Sequence, residues 1–228
     1  LDDHLRDYLR VAAFDDSALN GLQVEGRPEV RRVALAVSAC AEAFRKAGAA
    51  GADAVIVHHG LLWKGDWPRP VTGVTRERLK ILLDAGSSLF AFHLPLDAHA
   101  EVGNNAVAAR ALGLQGLEPF CDYHGQFIGW RGQYEAPLPA QSFVARLEAF
   151  YERPAHWVPG GGADIVSVGV VSGGAAREAE QAVALGLDAY VTGEPGEPTT
   201  FLAREAGFHF FALGHHATER VGVRALGE

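Results

Sequence analysis

Two adjacent imidazoles, His58 and His59, end the apolar run Ala54-Val55-Ile56-Val57, and a second pair, His215 and His216, follows the run Phe208 to Leu213. Glu219 lies four residues after His215, and Asp97 lies four residues after His93. Imidazole nitrogens and carboxylate oxygens suit Zn, Mn, Fe, Co or Ni, and the absence of thiolates argues against a purely structural zinc clip. The candidate metal ligands are therefore His58, His59, Asp97, His215 and Glu219. Adjacent residues of a strand point to opposite faces, so His58 and His59 diverge unless the chain turns there, in which case they reach two different ions. Five groups do not saturate two divalent ions, so places remain for water or substrate, as catalysis requires. Two dications set against two carboxylates leave a positive pocket, suited to an anionic small molecule such as a nucleotide. His93 is a candidate for proton transfer or for supporting the ligands from behind. His216 is the other candidate for proton transfer, or else an exposed or outer residue.

Strands must carry these groups. In the first half, a strand over Val33–Val37, a helix over Ala39–Ala50 and a strand over Ala54–Val57 precede a helix over Leu79–Ala85 and a strand over Leu89–Phe92. The second half repeats the plan with Val166–Val171, Ala175–Leu185, Ala189–Thr192, Phe201–Ala206 and Phe208–Leu213. Both finish on His-x-x-x-carboxylate, which predicts an internal duplication. The expected fold is α/β, with two related domains at 1–120 and 121–228 and sheets flanked by helices. The metal site is expected at the strand C-terminal ends between the domains, where open α/β sheets place ligands, with 214–228 returning to complete it. Glu194, at the position equivalent to the His58-His59 pair, is equally a site residue or a bystander. Asn20-Gly21 reads as a tight turn, and Gly103-Asn104-Asn105 as a cap for a helix over Ala106–Leu112.

Composition sets the bounds. With 228 residues, 48% of them hydrophobic, the chain can bury one large core or two small ones. A formal charge of −8 disfavours nucleic acid or an anionic membrane surface as the partner. The two cysteines, Cys40 and Cys121, lack CxxC spacing, which fits a reducing compartment. No apolar run is long enough to span a bilayer and the start is not a signal peptide, so the expectation is a cytoplasmic protein.

Taken together, Asn20-Gly21-Leu22-Gln23-Val24-Glu25-Gly26, His58-His59-Gly60, Trp63-Lys64-Gly65, His93-Leu94-Pro95-Leu96-Asp97, Gly103-Asn104-Asn105 and Gly214-His215-His216-Ala217-Thr218-Glu219 resemble the Nif-three-like dinuclear metal-centre family. Its members carry the name GTP cyclohydrolase I type 2 homologue, and this chain resembles the short bacterial form. The resemblance implies two divalent metal ions per subunit, held by the five candidate ligands with Glu219 bridging. It also implies a homohexameric ring with the sites facing an internal cavity. Phe201 stands where relatives often carry a His, which weakens any proton relay there. The function it implies is a dinuclear-metal-dependent hydrolase of the GTP cyclohydrolase type or directed at another nucleotide. The alternative is a non-enzymatic metal-storage, chaperone or adaptor ring.

Overall fold

The computed structural model describes residues 1–66 and 70–228. Contacts divide the chain into two compact units, Leu1–Leu96 with Leu226–Glu228, and Asp97–Ala225. Both are α/β, each built on one sheet with helices.

The first unit holds α1 (Asp2–Tyr8), β1 (Gly21–Val24), β2 (Val33–Ser38), α2 (Ala41–Ala49), β3 (Ala54–His59), α3 (Gly73–Ala85) and β4 (Ser88–Ala91); α4 (Leu94–Ala98) opens after it. The strand order is β1-β4-β3-β2, with β2, β3 and β4 parallel and β1 antiparallel at the edge. Ala54 to Val57 are buried on both faces, as expected of a central parallel strand rich in β-branched residues. Phe44 of α2 and Leu82 of α3 pack on Val55, Val57 and Leu89. Each such side chain contributes about 1.5–3 kcal/mol through burial.

The second unit contains α5 (Asn104–Ala111), β5 (Gln115–Tyr123), β6 (Gln126–Pro139), α6 (Ala140–Tyr151), β7 (His156–Val158), β8 (Asp164–Val170), α7 (Ala179–Ala184), β9 (Ala189–Thr192), α8 (Glu197–Ala206), β10 (His209–Ala212) and α9 (His215–Gly227). Its order is β5-β6-β8-β9-β10-β7. β8, β9 and β10 run parallel, and β7 lies antiparallel on the edge beside β10. Phe143, Leu147, Ile165, Val191 and Phe211 form its core. Among the described residues no helix is long and apolar enough to cross a membrane.

The same turn chemistry recurs in both units. Asp53 Oδ2 accepts from the backbone N–H groups of Arg31 and Arg32, and Asp188 Oδ2 accepts from those of Val166 and Ser167. The Asp53 carbonyl then accepts from Ser88 N–H, and the Asp188 carbonyl from His209 N–H. Each aspartate thus ties together the starts of three neighbouring strands.

The contact division falls earlier than the boundary expected near residue 120. Asn104 and Asn105 bind Gly222 and Ser172, so α5 belongs with the second unit. The Asn20-Gly21 turn is a correction: Gly21 opens β1, and Asn20 is buried because its amide binds Asp16 and His93. The cap expected at Gly103-Asn104-Asn105 falls on Gly103, the N-cap of α5, while both asparagines lie inside the helix with fully buried side chains engaged elsewhere. Replacing Asp188 by Ala removes hydrogen bonds from Val166 N–H, Ser167 N–H and Ser167 Oγ–H. At about 1 kcal/mol each the expected loss is ~2–3 kcal/mol, read as a lower urea midpoint with unchanged slope.

Candidate metal centre

In the first unit, β3 and β4 deliver three histidines. Ala54 pairs with Ser88 and Val57 with Ala91, so His58 emerges beside Phe92 and His93. One ring nitrogen from each of His58, His59 and His93 lies within 4.8 Å of the others. His58 and His59 do not diverge as residues within a regular strand would: their ring centroids are 4.6 Å apart at an interplanar angle of 52°. They sit on the last two residues of β3, where pairing with β4 has already ended. His58 is fully buried, and its Nδ1 lies 3.0 Å from the Phe92 carbonyl oxygen. A carbonyl only accepts, so Nδ1 carries a proton, and in the neutral ring the lone pair is on Nε2, the arrangement that a metal-binding imidazole requires.

His93 is held from both ends. Its backbone N–H donates to Asn20 Oδ1 at 2.8 Å, and its Nδ1 contacts Asp16 Oδ1 at 2.9 Å. Burial pushes the Asp16 carboxyl up, but the His93 hydrogen bond and charge, the Ala18 N–H and the Asn20 amide outweigh it and hold the group at about 2. Asp16 was absent from the sequence candidates because an Asp-Asp-Ser stretch reads as loop chemistry, and its partners lie up to 78 residues away.

In the second unit, α9 presents His215 and Glu219 one turn apart, as four-residue spacing on a helix dictates. His215 Nε2 lies 3.0 Å from Glu219 Oε1, and His215 Nδ1 lies 2.8 Å from Glu194 Oε1. Glu194 is therefore a site neighbour and orients the ring. Gly173, at φ +69°, lies against this pair, and a Cβ there would come within 2.5 Å of Glu219 Oε1. Asp97 is buried, and its Oδ1 accepts from Asn104 Nδ2 and Ser172 Oγ, both at 2.8 Å. Asn104 Oδ1 accepts from Gly222 N–H of α9, so one amide braces Asp97 against the helix carrying His215 and Glu219. His216 is exposed, although it adjoins His215. Glu194 also lines a cavity of about 680 Å3 with Arg177, Phe201 and Leu202, a volume within the small-molecule range.

The two His-x-x-x-carboxylate spacings prove to be one residue out of step. Ala91 pairs with Val57 and Ala212 with Thr192, so His93 lies two residues beyond its strand's last pair and His215 three beyond its own. His93 precedes its helix, whereas His215 opens its own. On the same register His59 matches Glu194. The cysteines take no part. Cys40 Sγ accepts from Ala43 N–H at the start of α2, and burial pushes the Cys121 thiol up to about 12.

The donor set fits divalent metal: imidazoles with lone pairs fixed by backbone and carboxylate partners, and carboxylates braced by amide and hydroxyl donors. Without metal, the Glu219 hydrogen bond raises His215; burial opposes this, while the charges of Glu219 and Glu194 and the Glu194 hydrogen bond add to it, giving about 9. A raised histidine stabilises the fold fully below its unfolded value of about 6.5, and that contribution is lost as pH rises through about 9. With the side chain 38% exposed, solvent screening keeps the effect small. In metal-free protein the urea-midpoint gap between wild type and His215→Asn should therefore narrow between pH 6.5 and 9; a widening gap would contradict the assignment. Gly173→Ala should crowd Glu219 and weaken divalent-metal binding at least tenfold by calorimetry, with the fold retained by circular dichroism.

Comparison with known proteins follows this geometry. The chain is 42% identical over 232 residues to an Escherichia coli protein named GTP cyclohydrolase 1 type 2 homolog, covering 100% of this chain and 90% of that protein. It is 41% identical over 222 residues to a Deinococcus radiodurans protein of the same name, covering 97% and 84%. Among solved structures, one described as protein ybgI, of unknown function, superposes with a TM-score of 0.92 at 40% identity, covering 99% of this chain and 89% of that one. TTHA1606 from Thermus thermophilus gives a TM-score of 0.90 at 38% identity, also covering 99% and 89%. Residues 1–228 match the family Duf34/NIF3 (NGG1p interacting factor 3), and this chain belongs to it.

Proposed function

We propose that this protein is a metal-dependent hydrolase acting on a nucleotide or a related phosphorylated small molecule at a dinuclear metal centre. The observation that carries the reading is the preset donor chemistry: His58 with Nε2 as its lone-pair nitrogen, and His215 bracketed by Glu219 and Glu194. The name of the relatives, GTP cyclohydrolase 1 type 2 homolog, points to the same class. His58, His59, Asp97, His215 and Glu219 would hold the ions. Two divalent ions there supply Lewis acidity and make water a competent nucleophile near neutral pH. The remaining work falls to the chain. Asn104 and Ser172 keep Asp97 aimed, Glu194 retains the Nδ1 proton of His215, and His93 takes a proton during reaction. The cavity beside Glu194 sets one cation among the described residues, Arg177, against Glu178, Glu180, Glu194 and Glu205, so the attraction for an anionic substrate would come from the ions and not from that cavity.

The two units descend from one duplicated β-β-α-β-α-β segment in this reading. Supporting it are the antiparallel edge strands β1 and β7, the parallel triplets β2-β3-β4 and β8-β9-β10, and the equivalent clamps of Asp53 and Asp188. β5, β6 and α6 are then specific to the second unit. A homohexamer completes the proposal, on the strength of the resemblance alone.

Metal-reconstituted protein offered a nucleotide panel including GTP, with formate and phosphate followed separately, tests the activity. Formate release dependent on metal identifies a cyclohydrolase, and phosphate release a phosphohydrolase. No turnover by protein carrying its full metal complement contradicts the hydrolase and favours storage or an adaptor role. Glu219→Ala should lose metal and all turnover together, whereas full activity in a metal-free variant would sink the reading.

A further inference from the structure

We propose that Asp16 is a positioning residue that fixes His93 as the tautomer protonated at Nδ1, so that Nε2 is the lone-pair nitrogen offered to the histidine cluster. The argument begins with the carboxylate. Asp16 is 2% exposed and meets four groups: Ala18 N–H at 3.0 Å and His93 Nδ1 at 2.9 Å on Oδ1, and Asn20 Nδ2 at 2.9 Å and Leu94 N–H at 3.0 Å on Oδ2. A carboxylate has about four lone-pair directions, and all are in use. Backbone N–H groups of Ala18 and Leu94 can only donate. The Asn20 amide is oriented by its other end, because Oδ1 accepts from His93 N–H at 2.8 Å, which leaves Nδ2 to donate to Asp16. With three fixed donors on it, the carboxylate is ionised and has no proton to give, so His93 Nδ1 must be the fourth donor.

The clamp also fixes where the ring stands. Asn20 holds the backbone of His93, while Asp16 holds its imidazole and the next N–H, at Leu94. The ring centroid then lies 5.0 Å from that of His58 and 5.6 Å from that of His59. The Phe92 carbonyl sets His58 in the same tautomer, so two acceptors, that carbonyl and the Asp16 carboxylate, prepare two imidazoles alike. Neutral His93 consequently begins as an acceptor, not as an acid. This use of the lone pair rests on the hydrolase reading; the tautomer does not.

The test reads the tautomer directly. Long-range proton–nitrogen correlation spectra of metal-free, nitrogen-15-labelled protein, recorded at a pH where imidazoles are neutral, resolve the two ring nitrogens, with His93→Gln assigning the signals. A protonated Nδ1 and an unprotonated Nε2 are expected, and the Nε2–H tautomer in wild type overturns the proposal. Asp16→Asn, which sets an amide among donors, should populate the other tautomer and lower kcat on the order of 10- to 100-fold with KM little changed. An unchanged His93 tautomer in that variant also overturns it. Should the variant fail to fold, the wild-type spectrum alone decides. The expected tautomer with no nucleotide turnover would reject the hydrolase and leave the Asp16 assignment standing.

Discussion

The parallel register between β3 and β4 is the constraint on which the first half of the site depends. Pairing Ala54 with Ser88 and Val57 with Ala91 places the last residues of both strands side by side. His58 then meets the Phe92 carbonyl, and His93 follows one residue later. A slip of one residue would reverse the faces of β4 and separate the three rings. The register rests on turn chemistry at the strand starts, since all four residues of β4 and the first four of β3 are enclosed and burial alone favours neither face. The Asp53 clamp supplies that chemistry from the opposite end of the strands. The core thus acts on the chemistry through a backbone carbonyl and a register.

Much of this architecture is legible in the sequence. The runs Ala54-Val55-Ile56-Val57 and Ala189-Tyr190-Val191-Thr192 announce buried strands, and α2 and α8 follow from apolar spacing and flanking turn residues. The short edge strands β1 and β7 do not. Asn20-Gly21 has the local chemistry of a turn, and only pairing with β4 makes the following residues a strand. β7 has three residues, and its partner β10 lies some fifty residues away.

The site divides along the same line. Metal-type donors are visible because His and acidic residues at strand ends are chemically conspicuous. The groups that aim them are not, since Asp16, Ser172 and Asn104 bind partners distant in sequence, His93, Asp97 and Gly222, and look like ordinary polar residues. Spacing also misled at one point. His93-x-x-x-Asp97 and His215-x-x-x-Glu219 look like copies, yet strand register sets them one residue apart. A chain of net charge −8 nonetheless buries Asp16, Asp97 and Glu219. The set of donors explains why this is tolerable for the two aspartates: buried carboxylates persist where amide, hydroxyl and imidazole donors meet them.

Anomalous diffraction from crystals of the metal-loaded protein, collected on both sides of the absorption edge, tests the central claim most directly. Two peaks per chain are predicted, with His58, His59, Asp97, His215 and Glu219 as the protein ligands. A single ion on His58, His59 and His93, or ions remote from α9, would contradict the account.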